Sequence, residues 1–248
     1  MYQEEVVIEV FEWYQNIEKR LVEITSIIPF SSESDLKKIY SPRLVPIMVE
    51  TCSVIDTLFR DLMPEEFQRP GPKGRRMTRN GANIYDYYRE LESNLQLGAS
   101  KSLLLQGKPV VLCPFKKWSD QSTSPLDWWR VYNRLKHDRI KCSKEASLFH
   151  CIDALCALKQ LMTKIPSLME LSLRFGWVQT GGYNPTITIK EITEINASKY
   201  VAYSAFFATF LSPVSWEGPD EIRPVNLRNN EKLIAHLGRL ATKIEHET

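Results

Sequence analysis

Val6, Val7, Val10, Phe11, Tyr14, Ile17, Leu21, Ile24 and Ile28 recur at three- and four-residue steps, with acids and bases between them. A helix turns by about 100° per residue, so this spacing gathers one long apolar face and predicts an amphipathic helix over residues 2–28. A face of that length has to be covered, and the rest of the chain supplies covers. Ser41-Pro42 reads as a helix start, and Leu44, Ile47, Met48, Cys52, Ile55, Leu58 and Phe59 predict a helix over 42–62 that Pro64 closes. Ser124-Pro125 opens another over 125–138. The most apolar helix has Ser143 as its N-cap and runs to Lys164 through Leu148, Ile152, Leu155, Leu158 and Leu161, with Pro166 ending it.

Other segments read differently. "SSESD" is a polar break that caps a short helix near "DLKKIY". "QRPGPKGRRMTRNG" (68–81) holds two prolines, three glycines and five cations without an acid. Its prolines and glycines predict a stretch without regular structure. Lys73, Arg75, Arg76 and Arg79 make it either a phosphate-contacting arm or a mobile solvated loop. A helix over "NIYDYYRELESNLQL" and a hairpin over "SLLLQGKPVVLC", turning at Gln106-Gly107, come next, followed by the polar linker "KWSDQSTSP". Beyond residue 166, "LMELSLRFGWV" fits no single element. "GGYNPTITIKEI" reads as a turn and a strand, "ASKYVAYSAFFATFL" as an apolar helix, and "NNEKLIAHLGRLATKIEHE" as a terminal amphipathic helix. The fold class is mainly α with a minor β component.

With 43% hydrophobic and 25% charged residues, the 248-residue chain has the composition of a globular protein. Its formal net charge of +2 means that any attraction to nucleic acid depends on where the charges sit. No apolar run reaches the ~18 residues of a membrane helix, and the first twenty residues lack the pattern of a secretory signal. Five cysteines without a CxxC pair read as reduced thiols. The expected compartment is the cytoplasm, without contact to a membrane. His150, Cys151 and Cys156 match no zinc-ligand spacing, and neither metal nor cofactor is expected.

The chemistry concentrates in "DWWRVYNRLKHDR", residues 127–139. On a helix, Trp128, Val131, Tyr132 and Leu135 fall on one side, and Asp127, Arg130, Asn133, Arg134 and His137 on the other. Arginine offers phosphate a fixed fork of donors, and histidine exchanges protons near neutral pH. Arg130, Arg134, Lys136, Arg139, Lys141 and Lys144 face only Asp127 and Asp138 as local acids. Such a stripe is also what any solvated helix face shows. Trp128, Trp129 and Tyr132 read as core, and His150 as a structural histidine.

An arginine followed, after six residues, by a histidine near the end of a bundle's third helix resembles the motif of the HEPN superfamily. "YNRLKHDR" is similar to the version found in many HEPN-like bacterial and phage proteins. The resemblance implies a four-helix bundle core built from residues 2–28, 42–62, 125–138 and 144–164. On that reading residues 1–166 form the helical domain, residues 63–124 are an insertion with basic loop and hairpin, and residues 167–248 are a C-terminal extension packed on the same core. It also implies a metal-independent endoribonuclease that works as a homodimer, of the kind found in toxins and anti-phage defence systems, where an antitoxin or defence protein is a partner. His137 would transfer the proton, Arg130 would stabilise the charge growing on phosphorus, and Asn133 would orient the phosphate or the imidazole. Arg134, Lys136, Arg139 and the 73–79 cations would hold RNA backbone. The position after the arginine, polar in nuclease members, is Val131 here. The alternatives are a non-catalytic HEPN-like module that binds RNA or protein, and an unrelated helical scaffold.

Overall fold

The long apolar periodicity becomes α1, Glu4–Thr25, in a computed structural model describing residues 4–28, 33–106, 110–119, 126–178, 201–211, 214–216, 222–224, 235 and 239. Val7, Phe11, Tyr14, Ile17, Leu21 and Ile24 are buried along it, whereas Val6 lies off the stripe and is exposed. After the short α2, Glu33–Leu36, the chain enters α3, Leu44–Leu62. Ser41-Pro42 precedes this helix instead of forming its first turn. The Ser41 carbonyl accepts the Leu44 N–H at 2.9 Å, and Ser41 Oγ accepts the Arg43 N–H at 3.3 Å. Pro46 is tolerated because it stands in the first turn, where no intrahelical acceptor is available.

The 68–81 stretch departs from expectation. Gln68–Pro70 (β1) and Arg76–Thr78 (β2) pair antiparallel, with Arg69 opposite Met77. Proline and glycine build the turn here. The Gly71 N–H donates to the Arg75 carbonyl at 2.7 Å, and Gly74 has a φ of +75°. A Cβ on Gly71 would lie 2.5 Å from Met77 Cγ, so only glycine lets the two arms approach this closely. Helix α4, Ile84–Leu95, starts with a capping box between Asn83 and Asp86.

The hairpin read around Gln106-Gly107 is present as β3, Ser102–Leu104, and β4, Val110–Leu112. Then come α5, Lys116–Ser119, and α6, Asp127–His137. The reversal after α6 uses α7, Arg139–Cys142, and a 3-10 turn over Ser143–Glu145. The last core helix, α8, therefore begins later than expected and spans Leu148–Met162. Ser147, not Ser143, is its N-cap, with Oγ accepting the His150 N–H at 3.3 Å. The ambiguous stretch after Pro166 is α9, Pro166–Arg174.

The expected helix over 197–211 is instead two strands, β5, Val201–Tyr203, and β6, Phe207–Phe210. Every residue of β6 is buried. A strand covered on both faces shows no alternation, so its apolar run imitates a buried helix. β6 pairs with β3 on one edge and β5 on the other, giving an antiparallel sheet in the order β4-β3-β6-β5. Segments from 102–112 and from 201–210 thus share one sheet. Val214–Trp216 (β7) and Ile222–Pro224 (β8) form a separate antiparallel pair. The strand expected within 181–192 lies outside the described residues, as does the terminal helix over 229–247 apart from positions 235 and 239.

The architecture is mainly helical with small antiparallel sheets. Helix α3 packs against α1, α6 and α8, and α8 also packs against α1, α6 and β6. Polar groups inside this core join helices to sheet. The buried Glu18 carboxylate accepts hydrogen bonds from Tyr14 Oη at 2.9 Å, Ser204 Oγ at 2.5 Å, and the Ala205 and Phe206 N–H groups at 3.3 and 3.1 Å. It holds the β5–β6 turn against α1. Replacing Glu18 with Ala strands these donors, and the expected loss is about 3 kcal/mol of unfolding free energy in urea titrations. A loss below about 1 kcal/mol would show that the turn docks without it.

Lys164, just beyond the C-terminus of α8, sits opposite Glu92. Buried Lys164 donates to the Leu211 carbonyl at 3.0 Å, and burial lowers its pKa to about 8. Burial raises Glu92 to about 7, against the Gly98 and Leu97 N–H groups that it accepts at 2.7 and 3.0 Å. Between pH 8 and the ordinary lysine pKa of 10.5, the unfolded chain binds the proton that folded Lys164 has released. Stability therefore rises with pH across that window. In Lys164→Met this alkaline gain disappears, which thermal melts at pH 8 and pH 10 detect as a stability difference from wild type that widens with pH.

Candidate active-site face of α6

Helix α6 is oriented by its aromatic side. Trp128, Trp129, Val131, Tyr132 and Leu135 are buried. Trp128 Nε1–H donates to the Pro114 carbonyl at 3.0 Å, and the Trp129 ring packs edge-on against Trp128 and Tyr132, with centroids 5.6 and 5.2 Å away. These rings are fixed inside the protein and are not available to stack on bases. Val131, only 3% exposed, belongs to the same packed side. The residue after Arg130 therefore points inward.

The opposite face is open. Arg130, Asn133, Arg134, Lys136 and His137 are all exposed. Asp127 in the first turn and Arg134, Lys136 and His137 in the last turn match the helix dipole, which favours this placement locally. Arg130 Nη2 lies 3.4 Å from Asp127 Oδ1, which Lys117 Nζ also meets at 3.1 Å. Arg134 Nη2 lies 2.9 Å from Glu145 Oε1. Both arginine side chains remain about 60% exposed, and ion pairs in such surroundings are worth roughly 0–1 kcal/mol. An arriving phosphate can displace them. Lys136 Nζ sits 5.5 Å above the Tyr132 ring, and Arg139 is exposed just beyond the helix.

Arg130 and His137 share this face but are not in contact. Seven residues place them about 10 Å apart along the axis. The guanidinium leans toward the helix N-terminus, onto Asp127, and so away from His137. Within one chain, a ligand must span that interval to touch both.

The basic hairpin splits in two. Arg69 turns inward, with Nε 2.6 Å from Asp86 Oδ2 and Nη2 3.2 Å from the Gly81 carbonyl, and is structural. Arg75 and Arg76 are exposed and Arg79 is half-buried. Lys73 lies in the 3-10 turn between the strands. A groove of about 390 Å³ runs along Gln68, Arg69, Pro70, Gly74, Arg75 and Arg76. The hairpin is thus an ordered arm with Arg75 and Arg76 outward.

His150, read from sequence as structural, is held at the start of α8. Its Nδ1 is 3.0 Å from the Glu145 carbonyl and 3.0 Å from Ser147 Oγ. Burial pushes its pKa down, Lys37 and Arg130 push the same way, and the Glu145 carbonyl and Asp127 pull it up. Sequence spacing gave no sign that a histidine on α8 senses an arginine on α6. Cys52, Cys151 and Cys156 are buried free thiols whose pKa burial raises, which leaves them unreactive. Among the described residues no three His, Cys, Asp or Glu side chains cluster as metal ligands, and no helix is long and apolar enough to cross a membrane.

The lowered His150 pKa makes a stability prediction. Below the ordinary imidazole value of 6.5 the unfolded chain takes up a proton that the folded ring resists, so its stabilising contribution is present above pH 6.5 and lost as pH falls below it. Urea midpoints at pH 7.5 and 5.5 should drop more in wild type than in His150→Gln. Equal drops would show that the ring titrates normally.

No protein-family model, no curated protein and no solved structure matches this chain.

Proposed function

We propose that the chain is a HEPN-like, metal-independent endoribonuclease of the cytoplasm, acting as a homodimer in a toxin or anti-phage defence setting. One observation carries the reading. Among the described residues the aromatic side of α6 is the buried one, and its other face presents Arg130, Asn133, Arg134, Lys136 and His137 to solvent. RNA cleavage without a metal needs three things from such a face. A base takes the ribose 2′-proton, a cation stabilises the extra charge on phosphorus, and an acid protonates the departing 5′-oxygen. Arg130 supplies the cation, His137 exchanges the proton and Asn133 orients the phosphate. A two-fold dimer sets one protomer's stripe against its partner's, which closes the interval that separates Arg130 from His137 in one chain. Arg134, Lys136, Arg139 and the hairpin cations Lys73, Arg75, Arg76 and Arg79 hold the RNA backbone, and an antitoxin or other defence protein is the partner expected to cover the face.

A second reading has its own support. Val131 is buried where HEPN nucleases carry a polar group, and Arg130 is drawn onto Asp127. Both favour a HEPN-like module that binds RNA or protein without cutting.

Cleavage of single-stranded RNA in EDTA separates the two. The nuclease loses about 10²-fold or more in rate in both Arg130→Ala and His137→Ala. Wild-type RNA retention without any cleavage supports the binding module. Neutralising Arg75, Arg76 and Arg79 to Gln should weaken RNA retention and reduce the salt slope by about 0.7 per lost phosphate contact. An unchanged slope removes the hairpin from the RNA path.

A further inference from the structure

The helix that opens the chain leaves one face uncovered. Glu9, Trp13, Asn16 and Arg20 follow one another at steps of four, three and four residues, so they share a side of α1, with Glu12 at its margin. Glu50 of α3 completes an open groove of about 510 Å³ along these residues. Arg20 is paired with Glu50, whereas Glu9 and Glu12 have no ion-pair partner among the described residues. The groove is therefore net acidic. Trp13 is 50% exposed in it, and the face of an indole attracts cations. An open ring beside carboxylates suits a guest that is flat, cationic and weakly hydrated, which describes a guanidinium.

The same chain carries that guest. Residues 68–81 contain no acid, and the β1–β2 arm exposes Arg75 and Arg76 together with Pro70 and Pro72. Arg76 Nη1 meets Gln68 Oε1 at 3.3 Å, and among the described residues no carboxylate pairs with Arg75 or Arg76. Strand pairing and the Arg69 bond to Asp86 set the shape of the arm in advance, so little freedom is lost when it docks. Within one chain arm and groove lie apart. Asp86 anchors the arm at the start of α4, and Glu50 stands twelve residues before the end of α3, about 18 Å back along its axis. Among the described residues no hydrogen bond or ion pair joins the two.

We propose that the α1–α3 groove receives the β1–β2 arm of a second copy of this chain. Arg75 and Arg76 bring their guanidinium groups onto the Trp13 ring and against Glu9 and Glu12, and the exposed prolines cover apolar surface beside them. Arm and groove are different surfaces, so a two-fold axis makes the contact twice and closes the pair. The contact uses no residue of α6 and does not depend on the ribonuclease reading. An arginine held by a carboxylate is not free for phosphate, so RNA on the arm and a partner's groove exclude each other.

Sedimentation of the full chain at micromolar concentration tests this. In low salt the wild type should have at least twice the 28.8 kDa mass of one chain. Raising NaCl from about 0.05 to 0.5 M should weaken its association roughly tenfold or more, because the charges that meet are exposed. The residues to reverse are all exposed, so the fold should survive in Glu9→Lys/Glu12→Lys and in Arg75→Glu/Arg76→Glu, with urea midpoints near wild type. Each variant alone should sediment at about half the wild-type mass, since both sides of its contact then carry one sign of charge. An equimolar mixture should return to the wild-type mass, because each arm meets an opposite groove in the other variant. A monomeric wild type, an association that salt leaves unchanged, or a mixture no heavier than its parts overturns the contact. Variants that keep the wild-type mass overturn it too, and leave a dimer through α6 standing.

Discussion

The structure turns on what α8 buries. Among the described residues it is the most enclosed helix, covered by α1, α3, α6 and the sheet, yet Lys159 and Gln160 lie fully buried within it and Lys164 just beyond its end. Each needs a partner that the helices do not offer. Lys159 reaches the Tyr203 carbonyl at 3.4 Å beneath the Trp177 ring, with burial holding its pKa well below the ordinary value. Gln160 donates to Ser102 Oγ at 3.1 Å, which meets Thr209 Oγ1 at 2.8 Å, and Lys164 donates to the Leu211 carbonyl. A buried polar group left without a partner costs roughly 1–3 kcal/mol, and more if charged. The helical core and the β3–β6 sheet are therefore one cooperative unit.

That constraint positions the candidate site. Helix α6 is held between α3 and α8, and its aromatic side is pinned by the Trp128 bond to Pro114. With that side committed, the opposite face has no interior left to join. Its cations are paired only loosely and at the surface. The return of the chain through α7 and the 3-10 turn brings Glu145, just before α8, against Arg134 in the last turn of α6. Buried aromatics behind and exposed ion pairs in front leave α6 with one fixed side and one cationic side open to solvent.

Much of this was legible in residues 1–166, because helices there repeat an apolar spacing that neighbours in sequence enforce. The helices α1, α3, α4, α6 and α8 and the β3–β4 hairpin all follow from such patterns. The misses share a cause as well. Pro70, Gly71 and Gly74 break structure in general, but when two short arms flank them they shape a turn, and sequence does not say which. In β6, Phe207–Phe210 is apolar on both faces and shows no period. Ser143 and Ser147 are equally good caps. The choice fell to Ser147 because the chain needs Ser143–Glu145 for its reversal, and because the Leu148 N–H meets the Ile39 carbonyl at 2.9 Å.

The amino-acid order alone settled the helices α1, α3, α4, α6 and α8, which side of α6 is greasy and where cations collect, since those properties arise between residues within two helical turns of each other. The tertiary structure decided the rest. It chose that β6 joins β3 across more than a hundred residues, that Arg69 is spent on Asp86 while Arg75 and Arg76 face water, and that Arg130 leans onto Asp127 and away from His137. Those outcomes depend on which buried donors and charges must find partners in a folded interior, and that requirement exists only once distant segments have been brought together.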